Sequence, residues 1–175
     1  KEIGIGILST AQKRERLKEE HAGIATKQMV VMNKIGETLG SISGVTAMTD
    51  VTGFGLLGHL LEMAEGSNLG AELYYSKIQF IEAAKEYLAQ RIVPDATYRN
   101  WNSYSSQVAF APGVNVMEAF NLLPDPQTNG GLLFAVKEDS VAEIQKLLEK
   151  EQLHNCVIPI GRMTERGEKL IQVLA

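Results

Sequence analysis

Apolar side chains recur along the chain in two spacings, about 3.6 residues apart in some stretches and two residues apart in others. The first spacing predicts helices over residues 25–39, 54–64, 81–88, 116–123 and 141–152. The second, or a short β-branched run, predicts strands over residues 3–8, 45–48, 69–75, 107–111, 132–136, 157–160 and 169–174. The last strand follows a turn and is predicted to close a hairpin. This pattern predicts an α+β fold in which a mixed or antiparallel sheet is covered by helices on one side.

Two further stretches are interpreted from their polar residues. Residues 12–20 are mostly charged, which is typical of a solvated helix with mixed charges. Residues 95–104 follow Pro94, which ends any regular element, and are predicted to be the longest irregular stretch. Aromatic side chains beside Arg99 could stack on a purine base, or the lone tryptophan, Trp101, could cover the edge of the core. The sequence leaves both roles open.

The composition limits the classes of function. The 175-residue chain has 17 basic and 21 acidic residues, a net charge of −4, whereas nucleic-acid surfaces need a basic excess. A hydrophobic fraction of 45% suits one domain, residues 1–175, with a sizeable core. No apolar run is long enough for a membrane span. Cys156 is the one cysteine, so we expect a reducing cytoplasm and a buried, inert thiol.

The stretch around residues 48–60 carries the most informative pattern of chemistry. A strand end is followed by a glycine-bearing turn and a buried helix, for which Thr52 is the predicted N-cap. Gly53 and Gly55 are expected to leave backbone N–H groups free at the positive end of that helix. With the carboxylate of Asp50 beside them, they would suit a metal-bridged phosphate. The alternative is that Asp50 and Thr52 only cap the helix.

Two other features leave structural and functional readings open. The turn over residues 125–131 has two glycines after Asn129, which permits positive φ and close backbone approach. It could serve the fold alone or line a cleft. His59 lies on the polar stripe of its helix with Glu62 nearby, and a solvent-facing or hydrogen-bonded side chain is expected.

Two motifs resemble the signatures of one enzyme family. TDVTGFGLLGH at residues 49–59 and DPQTNGGLL at residues 125–133 are similar to the two signatures in the C-terminal half of selenophosphate synthetases (selenide, water dikinases). The family usually has Ser where this chain has Asn129. The opening GIGIL is similar to the segment that joins the family's two domains, and TYRN at residues 97–100 to a family loop. The resemblance spans nearly all of the chain in the same order.

The resemblance implies a fold, a reaction and a set of ligands. The fold is the C-terminal domain of aminoimidazole ribonucleotide synthetase-like proteins, with residues 1–20 as an interdomain or N-terminal arm. The reaction converts selenide, ATP and water into selenophosphate, AMP and phosphate with Mg²⁺. The implied metal ligand is Asp50. The residues implied to contact the nucleotide are Thr49, Thr52, Gly53, Gly55, Asn129 and Gly130.

The resemblance also implies that the catalytic machinery lies elsewhere. The family's catalytic Cys or selenocysteine, a nearby Lys and most nucleotide-binding acids belong to a preceding domain. We therefore expect no catalytic residue in this chain, inactivity alone, its own N-terminal domain as partner, and a homodimeric parent. The alternatives are thiamine-monophosphate kinase, aminoimidazole ribonucleotide synthetase or a non-catalytic scaffold module. His59 and the Pro-Gln-Thr element favour the selenium enzyme.

Overall fold

The computed structural model describes all residues, 1–175, as eight α-helices and six β-strands. The helices are α1 (Ile5–Lys13), α2 (Ile24–Met29), α3 (Ile35–Gly40), α4 (Gly55–Gly66), α5 (Glu82–Ala89), α6 (Asp95–Tyr104), α7 (Val116–Leu122) and α8 (Val141–Lys150). The strands are β1 (Val45–Asp50), β2 (Gly70–Tyr74), β3 (Val108–Phe110), β4 (Leu132–Val136), β5 (Gly161–Thr164) and β6 (Ile171–Leu174). None of the helices is long and apolar enough to cross a membrane.

The strands form two sheets. β1 and β4 are an antiparallel pair, and the other four strands lie in the order β3-β6-β2-β5. Within that second sheet β2 is antiparallel to β5 and parallel to β6, and β3 is parallel to β6. The predicted α+β class with mixed strand directions is confirmed, but the single sheet is wrong. The closing hairpin is also wrong, because β2 lies between β5 and β6.

Three hydrophobic clusters hold the layers together. The largest joins one face of α4 to the four-stranded sheet, with Leu57, Leu73, Ile171 and Val173 almost fully buried. A second packs α1 against α5 around Tyr87. The third is small and includes Leu39 of α3 with Ile144 and Leu148 of α8. Helix α4 therefore lies at the centre of the fold, and residues just before it are held on a rigid support.

The first predicted strand is wrong because its pattern also fits a helix. Residues 5–13 form α1, and only Ile3 makes an isolated β-bridge, to Phe80. The apolar residues of this segment are compatible with both periods, since Ile7 and Ala11 are four residues apart and both are fully buried. The charged stretch 12–20 is not one helix either, because α1 ends at Lys13 and only a 3₁₀ turn at Glu19–His21 follows.

The single helix predicted over residues 25–39 is two short helices. α2 and α3 are separated by a break at which Val30, Val31 and Met32 are 70%, 55% and 70% exposed. Side chains from elsewhere bond the backbone of this break, since the carbonyl oxygen of Val31 accepts from Lys1 Nζ. Tertiary contacts of this kind override local helical periodicity.

The stretch 95–104, predicted to be irregular, is helix α6. Pro94 directly precedes it as its N-cap residue, and Asp95 lies in its first turn. Its buried face is formed by Thr97, Asn100 and Tyr104, which keep helical spacing. Because two of these residues are polar, the apolar periodicity of the sequence does not reveal the helix.

Two smaller predictions are also wrong. Residues 157–160 are not a strand, and β5 begins at Gly161. Cys156 lies in a 3₁₀ turn and is exposed, so it is not a buried thiol. Helix α8 begins at Val141 as predicted, and the hydroxyl of the preceding Ser140 donates to Asp139 and does not cap the helix.

Asp125 links the N-terminus of α1 to the second motif. Its side chain is fully buried, and Oδ2 accepts from the Gly6 amide at 3.0 Å and from Gln127 Nε2 at 2.8 Å. Burial raises the pKa of Asp125 to about 8, against the opposing effect of these hydrogen bonds. The buried Oδ1 has no hydrogen-bond partner. The carboxyl group is thus stable here in its protonated form.

This burial predicts a dependence of stability on pH. The folded pKa of Asp125 lies above its ordinary value of about 4, so folding takes up a proton and the stabilisation is lost between about pH 4 and pH 8. Asp125→Asn keeps an acceptor oxygen and cannot ionise. When the pH is raised from 5 to 8.5, the urea midpoint of the variant should therefore fall less than that of the unmodified chain. Equal falls in both proteins would show that Asp125 does not titrate in this way.

Candidate functional site

The two sequence motifs lie side by side in the structure. Strands β1 and β4 pair up to their ends, where Asp50 is opposite Leu132. Beyond the strands the Val51 amide donates to the Gly131 carbonyl oxygen at 2.8 Å, and the Gln127 amide donates to the Thr52 carbonyl oxygen at 3.0 Å. The turns of both motifs are thereby joined at one end of the two-stranded sheet.

Residues Thr52–Phe54, which we call the signature loop, connect β1 to α4. Their three consecutive amides donate to no acceptor in the chain. Gly53 and Phe54 are exposed, and the loop leads directly into the N-terminal end of a 12-residue helix. Free amides at such an end form a favourable environment for an anion. The free amide expected at Gly53 is present, but that of Gly55 donates to the Thr52 carbonyl oxygen at 3.1 Å.

Thr52 does not cap helix α4, contrary to the prediction. Phe54 occupies the N-cap position and provides no side-chain bond. The Thr52 hydroxyl oxygen instead lies 3.1 Å from His59 Nε2. His59 is buried on the helix, 7% exposed, and its Nδ1 is 3.0 Å from Glu62 Oε2. Of the two expected environments for His59, the structure shows the hydrogen-bonded one, and the side chain does not face solvent.

Helix α6 supplies two site residues that the sequence analysis did not identify. Asn100 Nδ2 donates to the Gly53 carbonyl oxygen at 2.7 Å and to the Pro124 carbonyl oxygen at 3.0 Å. Tyr104 donates from its hydroxyl to the Phe54 carbonyl oxygen at 3.1 Å. Their signal in the sequence was the four-residue separation after Pro94, which places both on one face of a helix.

Asp50 ends β1 and is exposed. Its carboxylate makes no hydrogen bond or ion pair within the chain, and Thr49 donates only to its carbonyl oxygen, at 3.2 Å. Nowhere does the chain bring together three or more His, Cys, Asp or Glu side chains for a metal ion. Mg²⁺ usually takes only one or two carboxylates from a protein and fills its other positions with water and phosphate. A single free carboxylate fits that mode of binding.

A shallow groove runs beside this end of β1. It has a volume of about 230 Å³ and lies between β1 and α4. Thr49, His59 and Glu62 provide its polar lining, and Ala47, Met48 and Met63 its apolar lining. The groove leads along the two elements whose ends meet at the signature loop.

The residues of the second motif mainly hold neighbouring backbone. Asn129 has a φ of 48° and donates from Nδ2 to the Val31 carbonyl oxygen at 3.2 Å. Its own carbonyl oxygen accepts from Lys1 Nζ at 2.7 Å. A Cβ atom on Gly130 would overlap the carbonyl oxygen of Val51. Whether Asn129 and Gly130 also contact a nucleotide stays a prediction.

Trp101 packs on the edge of the core. It is half-buried against the main cluster, stacked on Phe110 at 5.7 Å between ring centroids and edge-on to Phe120 at 4.9 Å. Tyr98 and Arg99, in contrast, are exposed. Of the two roles left open for Trp101, covering the core edge is the one that its contacts support.

The α+β fold, with two apposed glycine-bearing loops, belongs to a known class of protein. A family model described as AIR synthase related protein, C-terminal domain, matches residues 1–173, and the chain belongs to this family. Within it, the chain is similar to proteins named selenide, water dikinase. It is 46% identical to those of Haemophilus influenzae and Pseudomonas aeruginosa and 43% identical to that of Yersinia pestis, over 99% of the chain. The resemblance inferred from the motifs is confirmed.

The chain spans about half the length of these curated relatives, 48% to 49%. Solved structures with the same fold include Escherichia coli HypE, a hydrogenase maturation protein, with a TM-score of 0.62 and 19% identity. Thiamine-monophosphate kinase from Stenotrophomonas maltophilia has a TM-score of 0.60 and 16% identity. The alignments cover 98% of this chain and 43% and 47% of those chains. At these identities the likeness concerns the fold alone.

The two glycines of the signature motif should differ in their tolerance of a side chain. Gly55 has a φ of 70°, and its Cβ would lie within 2.8 Å of the Leu123 and Pro124 backbone, so Gly55→Ala combines strain with overpacking. We expect it to lower the free energy of unfolding by about 2 kcal/mol or more. Gly53→Ala is the matched control, since nothing lies within 4 Å of its Cβ position.

Urea denaturation of both variants checks this comparison. Gly53→Ala should stay within about 0.5 kcal/mol of the unmodified chain, as surface substitutions usually do. Equal losses in the two variants would show that Gly55 is not specifically required for the close approach of the motifs.

Proposed function

We propose that this chain is the C-terminal part of a selenide, water dikinase, which converts selenide, ATP and water into selenophosphate, AMP and phosphate. The proposal is supported by identities of 43% to 46% with proteins of that name over 99% of the chain. Both signature motifs are intact except for Asn129, where the family usually has Ser. Thiamine-monophosphate kinase, one of the alternatives, is far less similar in sequence, at 16% identity.

The part of the reaction assigned to this chain is binding of the ATP phosphates. The observation that carries this assignment is the run of three consecutive signature-loop amides without an acceptor, at the N-terminal end of α4. Phosphate oxygens are good acceptors for such amides, and the helix dipole favours their negative charge.

Asp50 is proposed to hold Mg²⁺ on the bound phosphates. It lies two residues before the signature loop, and its carboxylate has no competing partner in the chain. The ion would neutralise charge on the phosphates as they react, a contribution of several kcal/mol to phosphoryl transfer. Further acids are needed to complete its coordination, and by resemblance they belong to the other half of the enzyme.

The remaining half of the enzyme is the proposed partner of this chain. By resemblance it carries the catalytic Cys or selenocysteine, a nearby Lys and most nucleotide-binding acids. The exposed apolar side chains of Val30, Val31 and Met32, together with Phe54, lie close to the two motif loops and would be covered when it docks. The full-length enzyme is proposed to be a cytoplasmic homodimer.

Asp50→Asn in the full-length enzyme tests the metal assignment. The carboxylate makes no bond within the chain, so the melting temperature should stay within about 2 °C of the unmodified enzyme. Selenide-dependent AMP release should fall by about a hundredfold or more, because charge on the metal-held phosphates is no longer balanced. Thermal melting and AMP release are measured on the same preparation.

Two results would contradict this assignment. Activity near that of the unmodified enzyme would mean that Asp50 does not hold the metal. A large loss of melting temperature together with activity would mean that Asp50 acts through the fold. Glu65→Gln, an exposed acid on α4 that does not line the groove, serves as the control for a general loss of negative charge.

The purified 175-residue chain should not release AMP from ATP in response to selenide. The reason is that the nucleophile and most phosphate ligands are assigned to the other half of the enzyme. The chain should nevertheless unfold in one cooperative urea transition, because it forms its own hydrophobic clusters. Selenide-dependent AMP release by the chain alone would overturn this division of roles.

A further inference from the structure

Each residue of the signature loop is held by a different buried polar side chain. Its threonine hydroxyl is paired with His59, the carbonyl oxygen of its glycine accepts from Asn100, and the carbonyl oxygen of its phenylalanine accepts from Tyr104. These three side chains are only 7%, 7% and 5% exposed. They come from two helices, α4 and α6, that pack against each other below the loop.

These contacts determine where the loop amides are directed. In a trans peptide the N–H and C=O groups point in opposite directions. The Gly53 carbonyl oxygen is bound by Asn100, so the Phe54 N–H points away from α6. The Thr52 carbonyl oxygen accepts from the amides of Gly55 and Gln127, so the Gly53 N–H points away from both of these. The free amides thus result from carbonyl groups that are held inward.

Apart from these side chains, the loop is restrained at Thr52, whose carbonyl oxygen accepts from the Gly55 and Gln127 amides. Glycine is the residue type with the greatest backbone freedom, and at Gly53 no neighbouring atom lies within 4 Å of the position that a Cβ atom would take. Helix α4 has no side-chain N-cap that could order its first turn. Without the three side chains, the loop would lose conformational entropy when it bound a ligand, which would weaken binding.

The burial of the three side chains makes them suitable for this role. A buried donor that loses its acceptor is costly, so each pair resists separation. Burial also raises the pKa of Tyr104 above its ordinary value, which keeps its hydroxyl protonated and able to donate. Asn100 uses both of its amide hydrogens, on the signature loop and on Pro124 next to the second motif.

We propose that Asn100, Tyr104 and His59 are positioning residues that hold the signature loop with its amides free to bind the phosphates of ATP. This inference rests on the proposed function and adds to it the residues that prepare the site before the nucleotide arrives. They act through the loop backbone and do not touch the reacting atoms. Preorganised donors of this kind need no rearrangement when charge develops on a substrate.

Tyr104→Phe in the full-length enzyme is the most direct test, since it removes one oxygen atom and leaves the ring in place. We expect the KM for ATP to rise by about tenfold, because the loop loses one stabilising hydrogen bond and such a bond corresponds to roughly a tenfold change in affinity. The KM for selenide should stay unchanged. A purely structural role would lower the amount of folded enzyme without separating the two KM values.

Tyr87→Phe is the matched control. Tyr87 is also a buried tyrosine, but it lies in the second cluster and its hydroxyl accepts from the Lys18 amide, away from the signature loop. Its loss should leave the KM for ATP unchanged, whatever it does to the melting temperature. Asn100→Asp is the second test variant, because a carboxylate cannot donate to the Gly53 and Pro124 carbonyl oxygens. It should raise the KM for ATP at least as much as Tyr104→Phe.

The outcomes separate this inference from the proposed function. A higher KM for ATP in Tyr104→Phe and Asn100→Asp, but not in Tyr87→Phe, supports the positioning role. If the unmodified enzyme binds Mg·ATP and Tyr104→Phe keeps the same KM for ATP, the positioning role is wrong and the proposed function stands. If equilibrium dialysis detects no binding of Mg·ATP to the unmodified full-length enzyme, the proposed function fails and this inference fails with it.

Discussion

The antiparallel pairing of β1 with β4 is the contact on which the candidate site depends. It places Asp50 opposite Leu132 and continues as the bond from the Val51 amide to the Gly131 carbonyl oxygen. The pairing can extend this far because glycine allows the two backbones to approach closely, as at Gly130 against Val51. Two motifs that begin 76 residues apart in sequence (125 − 49) thereby become one local structure. Without this pairing, the free carboxylate and the free amides would have no fixed relation to each other.

Buried polar groups fix the loop conformations that hydrophobic packing alone does not determine. The largest cluster fixes α4, but it does not determine the conformation of the three residues before that helix. Buried donors on α4 and α6 do so, because each pairs with one atom of the signature loop. Asp125, the first residue of the second motif, has a similar role, because its carboxyl group holds the N-terminus of α1. Buried polar contacts therefore connect both motifs to the surrounding helices, and such contacts are costly to break.

The sequence predicted some features of this arrangement and missed others for physical reasons. The α+β class, helix α4 and the importance of both motifs followed from periodicity and from the resemblance. Helix α6 was missed because its buried face carries Thr97 and Asn100, which an apolar pattern does not reveal. The closing hairpin was wrong because strand order depends on contacts with β2, far away in sequence. Thr52 was predicted to be an N-cap from its residue type, whereas its hydroxyl is paired with His59, seven residues further along the chain.

A structure of the full-length enzyme with Mg²⁺ and a non-hydrolysable ATP analogue would test most directly whether this chain binds the nucleotide. We predict that the amide nitrogens of Gly53 and Phe54 lie about 3 Å from phosphate oxygens, with Asp50 bound to the metal directly or through one water. The loop itself should keep the conformation that it has here, with Asn100 still donating to the Gly53 carbonyl oxygen. Phosphates held entirely by the other half of the enzyme, with the signature-loop amides bound only to water, would contradict this prediction.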